Sequence, residues 1–420
     1  MKKNYILKKI IKDYQPITKN KNSYKLLENA FSDEDIFAGT KVLFSRQITM
    51  SSIVEKFEKQ FAKFVGSKYA LMVNSGSSAN LLATFAACNP IRKNRFKIGD
   101  EAIIPALCWS TSLWPLVQAG LKPVFVDIDR LSLNINVDEL IKKITPKTKV
   151  IMIVHVLGNS SDIEKIKSIC EKKNIILIED TCESLGSKFK NKYLGSFGDF
   201  GTYSFYYSHQ ITCGEGGAVV CKSFDDYKLL YSLRAHGWAR GPNEIKKGDP
   251  ILKKIDNKFI FINSGFNLRP TDLSASIAIC QLKRLKKMIK IRSKNREKII
   301  NKLTSSHRWK NQFSFMRESE FVEPSWFGLP IFIDKKYVNI KKKFLKYLEK
   351  NGVENRPIIS GNFLNQPCSK LYNLNPKNIK FFNAQDVEDR GFFIGIHTNP
   401  ITYRQLILIE KVMLNIDQLI

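Results

Sequence analysis

From about residue 65 onward, short apolar runs alternate with stretches of helical period. YALMV (69–73) leads through Asn74-Ser75-Gly76-Ser77-Ser78 into NLLATFAAC, and EAIIP (101–105) leads into WSTSLWPLVQAG. KPVFVDI (122–128) precedes NVDELIKKI, and KVIMIVHVLG (149–158) precedes DIEKIKSICEKKN and then IILIED (175–180). Near-continuous apolar strands separated by helices predict a mostly parallel sheet covered on both faces. Two further runs, 201–207 and 216–221, enlarge that sheet. A long helical pattern from Thr271 to about Ser305 reads as a connector. Beyond it, WFGLPIFI (326–333), NIKKKFLKYLEKNG, VENRPII, GFFIGI (391–396) and a last helix predict a smaller α+β unit. The expected division is a basic, irregular extension over 1–40, a large α/β domain over 41–285 and a small α+β domain over 286–420.

Composition narrows the class. With 43% hydrophobic and 25% charged residues in a chain of 420, disorder and coiled coil are excluded. No apolar run approaches the roughly 18 residues of a membrane span. The opening MKKNYILKKIIKDYQP lacks a continuous apolar stretch, so a cytoplasmic protein without membrane insertion is expected. Eight cysteines are scattered without a CxxC pair, as in a reducing compartment. The net charge of +29 is spread over lysine-rich helical faces, so specific nucleic-acid binding is not expected. An anionic small molecule would still gain from that field.

Ligands of open α/β sheets bind beyond the carboxyl ends of the strands, and four features fall there. Asn74-Ser75-Gly76-Ser77-Ser78 joins a strand to a helix, where free amides suit a phosphate, although Ser-Gly-Ser is also an ordinary helix cap. Asp180 ends an apolar strand, where a buried acid calls for a cation, or else simply caps a loop. Trp109 follows the strand at 101–105 and suits a flat aromatic ligand as well as a core. The run from Gly201 to Gly217 ends a strand in hydroxyls and His209, then turns through glycines into another strand.

The ordered set NSGSSAN, PALCWS, EDTCES, GTYSFYYSH…GEGG and GFNLRP resembles the DegT/DnrJ-type sugar-nucleotide aminotransferases over about residues 40 to 420. That resemblance implies the aspartate-aminotransferase-like fold: a large domain with a mostly parallel, seven-stranded type of sheet, plus the smaller α+β domain. It also implies pyridoxal phosphate and its pyridoxamine form (PLP, PMP) as cofactor. By resemblance, Gly76, Ser77 and Ser204 hold the cofactor phosphate, Trp109 stacks on the ring, Asp180 pairs with the ring nitrogen and Glu183 lies beside it. Asn267 would reach the phosphate of a neighbouring subunit, so a homodimer with shared sites is implied.

One departure bears on function. Aminotransferases of this family carry a lysine, covalently linked to the cofactor, where this chain has His209. An imidazole makes no such link but moves protons. The same replacement marks the family's 3-dehydratases, which implies loss of the C3 hydroxyl from a nucleotide-linked 4-keto-6-deoxy sugar. L-glutamate would be the amino donor and ammonia would be released, in 3,6-dideoxysugar synthesis of the O-antigen kind. LRAHGWAR, PSWFG, RPIISGNFLNQP (356–367) and GFFIGIH (391–397) resemble the GDP-linked branch, making GDP-4-keto-6-deoxy-D-mannose the expected substrate. No iron–sulfur cluster or other metal is expected: the stretch Arg234–Gly241, where the resemblance would place cluster ligands, has no cysteine, and Cys213, Cys221 and Cys280 lack the close spacing. A 4-aminotransferase and a reductase-dependent, CDP-linked dehydrase stay open as alternatives. Arg269 is a candidate for the glutamate carboxylate or a substrate phosphate, with a structural ion pair as its rival. His236 is a candidate for the substrate pocket, with loop packing as its rival.

Overall fold

The computed structural model describes residues 23–28, 30–92, 96–245 and 249–420. Residues 1–22 of the expected basic extension lie outside the described residues. In chain order the first strands are β1 (Tyr69–Val73), β2 (Glu101–Pro105), β3 (Lys122–Val126), β4 (Thr148–Val154) and β5 (Ile176–Asp180). Two short strands, β6 (Lys188–Phe189) and β7 (Lys192–Tyr193), precede β8 (Phe200–Ser204) and β9 (Gly217–Cys221). Seven of these form one sheet in the order β1-β9-β8-β5-β4-β2-β3. Only β9 runs against its neighbours, while the β5–β8, β4–β5, β2–β4 and β2–β3 pairs are parallel. The mostly parallel α/β sheet expected from the apolar alternation is therefore present.

β1 is an edge strand, and its outward-facing backbone is closed by side chains. Glu58, from the helix Ser52–Val65, accepts a bond from the Met72 amide at 2.8 Å. Arg234, ending the helix Phe224–Arg234, donates to the Met72 carbonyl at 2.8 Å and to Glu58 at 2.7 Å. This buried pair does for the edge what another strand would do.

The 33-residue helix Asp272–Thr304 spans roughly 50 Å at 1.5 Å per residue. Its first half packs on the helices Asp33–Ser45 and Ser52–Val65. Its second half carries Asn295, which donates to the carbonyls of His397 and Asn399 and accepts from the Ile401 amide. Beyond it lie β10 (Phe313–Phe315), β11 (Val322–Glu323), β12 (Gly328–Ile333), β13 (Asn355–Arg356) and β14 (Gly391–Gly395). A second, antiparallel sheet has the order β10-β12-β14-β13. β11 instead pairs with β6, so after β10 the chain returns to the loops of the large sheet before it lays down the rest of the small one.

Several expectations are corrected. The segment before residue 40 is not irregular throughout: Ser32 and Asp35 form a capping box that starts the helix Asp33–Ser45. Asp35 then binds Arg284 at 2.6 Å and Gln281 at 2.8 Å on the long helix. Tyr24 bridges to Val353 and donates to the Gly395 carbonyl at 2.9 Å, so this segment covers the small sheet. The strand expected over 149–158 stops at Val154, because Leu157 takes φ 51° in a tight turn over Val156–Gly158. The strand expected over 201–207 stops at Ser204, and Tyr206 and Tyr207 are exposed. Among the described residues, no helix is long and apolar enough to cross a membrane.

Removing the charge of Arg234 leaves Glu58 buried without its partner. Arg234→Met is expected to cost about 3–5 kcal/mol in urea unfolding, with Glu58→Met/Arg234→Met recovering part of the loss. Equal stability of Arg234→Met and the wild type would contradict the edge-closing role.

Candidate active site

The carboxyl ends of β1, β2, β5 and β8 lie on one side of the sheet, and β9 starts from that same side. Gly217 stands opposite both Val73 and Ser204. After β1 the helix Gly76–Ala87 begins, capped by Ser75, whose Oγ accepts from the Ser78 amide at 3.0 Å. The next amides, of Gly76 and Ser77, have no partner within the helix and point out of its positive end. Two glycines let the chains close here. A Cβ on Gly76 would stand 2.5 Å from Ser204 Cβ, and one on Gly217 would stand 2.4 Å from the Ser75 carbonyl oxygen. Ser77 is exposed and bonds Thr111 at 3.1 Å, which joins this helix start to that of the helix Ser110–Gln118. Ser204 is buried beside Gly76. The cap reading of the Ser-Gly-Ser run is borne out by Ser75, and the free amides at this helix start are of the kind that suits an anion.

Asp180, the last residue of β5, is only 4% exposed. Its Oδ2 accepts from Asn80 Nδ2 and Ser112 Oγ, each at 2.7 Å, and its Oδ1 accepts from the Cys182 amide at 3.1 Å. Asn80 is oriented in turn by Thr202 Oγ1 at 2.6 Å. All these donors are neutral, and among the described residues no cation pairs with Asp180. A buried carboxylate so arranged has capacity for a cationic donor such as a protonated pyridine nitrogen. Trp109 begins the helix that supplies Ser112 and leaves its indole 55% exposed. Free amides at a helix start, an exposed aromatic face and a buried acid on one edge suit the chemistry of pyridoxal phosphate.

Glu183 follows on the same loop, and its Oε2 accepts from the Leu157 amide at 3.2 Å. Burial, reinforced by nearby Asp180, pushes its carboxyl up to about 8. His209 lies on the loop after β8, its ring edge-on to Tyr206 at 5.9 Å and to Phe327 at 5.1 Å. Its Nδ1 is buried and has no partner among the described residues. Desolvation, with a smaller contribution from the Arg292 guanidinium, lowers its pKa to about 3. The imidazole is therefore a neutral base near pH 7.

Gly76, Ser77, Trp109, Asp180, Glu183, Ser204 and His209 thus gather at one sheet edge. Asn267 and Arg269 flank Leu268, whose carbonyl accepts from the Asn74 amide at 3.1 Å. They line a groove with Glu58, Tyr231, Trp238 and Arg240. Arg269 lies 5.9 Å from the Trp238 ring rather than in an ion pair. His236 packs on the same indole at 5.1 Å, at a backbone φ of 63°. Asn80, Ser112, Gln210, Arg292 and Phe327 were not singled out from sequence. Asn80 stands one helical turn after Gly76, and Ser112 three residues after Trp109, a spacing that carries the signal. Gln210, Arg292 and Phe327 carry no local sign.

The Glu183 carboxyl is raised on folding, so between about pH 4.5 and about 8 the folded chain holds a proton that the unfolded chain releases. Its contribution to stability is full below that window and falls as pH rises through it. In cofactor-free protein, Glu183→Gln is expected to flatten the fall in unfolding midpoint across this range. Identical pH profiles for variant and wild type would show that Glu183 is ionised in the fold.

A model of the DegT/DnrJ/EryC1/StrS aminotransferase family matches residues 30–409. The GDP-4-keto-6-deoxy-D-mannose 3-dehydratase of Escherichia coli O55:H7 is 41% identical over 380 residues, covering 89% of this chain and 95% of that protein. A histidine-to-asparagine variant of a GDP-4-keto-6-deoxymannose-3-dehydratase, solved with GDP-perosamine, superposes with a TM-score of 0.83 at 38% identity, covering 93% of this chain and all of that one. A second structure of such an enzyme, holding a trapped PLP-glutamate geminal diamine, has a TM-score of 0.83 at 37% identity, again covering 93% of this chain and 100% of the other. The chain belongs to the DegT/DnrJ/EryC1/StrS aminotransferase family.

Proposed function

We propose that this chain is a PLP/PMP-dependent 3-dehydratase that removes the C3 hydroxyl of GDP-4-keto-6-deoxy-D-mannose. L-glutamate is its amino donor, and 2-oxoglutarate and ammonia are the other products. The observation that carries the reading is His209. An imidazole stands on the loop where the family's aminotransferases keep a lysine, and burial, with a smaller contribution from the Arg292 guanidinium, holds it neutral. The relatives solved with GDP-perosamine and with PLP and glutamate support the choice of nucleotide and donor.

The roles follow from the side chains. The amides of Gly76 and Ser77 and the Ser204 hydroxyl receive the cofactor phosphate. Trp109 covers the ring face. Asp180, its carboxylate already held by Asn80 and Ser112, keeps the ring nitrogen protonated. Glu183, carrying a proton, offers a donor beside it. When bound, the cofactor supplies the amine that engages the sugar C4 ketone and an electron sink for departure of the C3 hydroxyl. His209 takes up the proton removed at an imidazole nitrogen and delivers one to the departing hydroxyl. Lacking an amine, His209 cannot recapture the cofactor, so hydrolysis with loss of ammonia completes the cycle. Asn267 and Arg269 serve the cofactor phosphate and an anionic substrate group of a neighbouring subunit in a homodimer, with His236 beside them.

With PLP, L-glutamate and the GDP-linked ketosugar, and without added iron or reductase, the protein is expected to release ammonia and a sugar one oxygen atom lighter. A 4-amino sugar as product, or activity only with iron and a reductase, would overturn the reading. His209→Asn is expected to lower turnover about 100-fold or more. In His209→Lys, borohydride should fix the cofactor to the peptide containing residue 209, which it does not do in the wild type.

A further inference from the structure

Next to His209 the chain closes a ring of hydrogen bonds that the reaction itself does not require. Gln210 is 2% exposed, and its Nε2 donates to the carbonyl of Glu183 and to that of Ser325 at 3.1 Å. Two carbonyl acceptors admit only the amide NH₂, which settles the orientation of the side chain. Two residues on, the Phe327 amide donates to the Leu157 carbonyl at 3.2 Å, and the Leu157 amide returns to Glu183 Oε2 at 3.2 Å. The circuit therefore runs from Glu183 through Gln210, Ser325, Phe327 and Leu157 back to Glu183.

Its outer side is held by Arg292 on the long helix. Arg292 is 2% exposed and donates from Nη1 to the carbonyls of Trp326 at 3.1 Å and Phe327 at 3.4 Å. No carboxylate neutralises it among the described residues, and its Nε is buried without a partner. A buried, uncompensated guanidinium is costly, and the fold keeps it beside the residue proposed to move the proton. The Phe327 ring it secures is the one that abuts the His209 imidazole at 5.1 Å. Close packing supports the seat, because a Cβ on Gly158 would stand 2.5 Å from the Ser325 carbonyl oxygen.

We infer that Gln210 and Arg292 are positioning residues for His209: they clamp the segment Ser325–Phe327 against the loop that carries it and so fix the imidazole. This rests on the reading of His209 as the proton carrier. The charged group facing the ring from the long helix is Arg292; Tyr206 faces it from its own loop, and Glu183 is reached through Gln210. A cation at that place disfavours the imidazolium, so the clamp sets both the position and the protonation state of the ring.

The test uses full-length protein with Gln210→Met, Arg292→Met and Arg292→Lys. Gln210→Met and Arg292→Met are expected to lower dehydration kcat about 10- to 100-fold. KM for the sugar and PLP affinity, read by fluorescence, should change by less than about twofold. In cofactor-free protein carrying labelled histidine, with the signal assigned by His209→Asn, the His209 titration midpoint should rise in Arg292→Met and return towards wild type in Arg292→Lys. If Gln210→Met does not fold, the two Arg292 variants carry the test. An unchanged His209 midpoint in Arg292→Met, or kcat unchanged in the variants that fold, overturns the proposal. Full activity of His209→Asn would instead defeat the proton-carrier reading, while the titration would still report whether Arg292 governs the ring.

Discussion

A charge buried at the end of β5 governs how the rest of the site is arranged. An isolated carboxylate taken out of water costs several kcal/mol, and the fold offsets that cost with bonds from separate chain segments. Asn80 comes from the helix after β1, Ser112 from the helix after β2 and the Cys182 amide from the loop after β5. Thr202 on β8 orients Asn80. One acid therefore fixes the relative positions of four strand ends. The same helices present the Gly76–Ser77 amides and the Trp109 indole, so cofactor geometry and the solvation of Asp180 are one construction.

Two carboxyl groups three residues apart are placed in opposite environments. Asp180 accepts three bonds and is suited to remain an anion opposite a cation. Glu183 has a single amide donor and the neighbouring Asp180 charge, and burial keeps its proton on. Separation of this kind allows one loop to supply both a counter-ion and a neutral donor near pH 7. The imidazole nearby is uncharged for the complementary reason, because burial and a buried guanidinium both oppose its protonation. Burial thus favours the neutral form of both Glu183 and His209, an arrangement suited to moving protons.

The chemistry turns on what His209 cannot do. Its family relationship supplies a cofactor cradle built for amino transfer, and an imidazole in place of the amine withholds the covalent return step while keeping acid–base capacity. Asn267 and Arg269 line a groove beside Trp238.

The apolar strand runs and their helical partners were legible in the sequence, as were the strand-end motifs at Gly76, Trp109, Asp180 and Ser204. They are local: burial on both faces makes a parallel strand uniformly apolar, and phosphate-binding turns need glycine and hydroxyl residues at fixed offsets. The helix Asp33–Ser45 was not read, because the basic composition of residues 1–40 made the whole segment read as irregular. The early end of the 149–158 strand was not, since the backbone of Leu157 is set by its bonds to Glu183 and Phe327. Tertiary structure alone decided that Glu58 and Arg234 close the edge of β1 and that Gln210 grips Ser325. It alone placed Arg292 behind Phe327. These pairs are separated by 35 to 176 residues, and no periodicity or propensity records a contact that exists only once the chain has returned on itself.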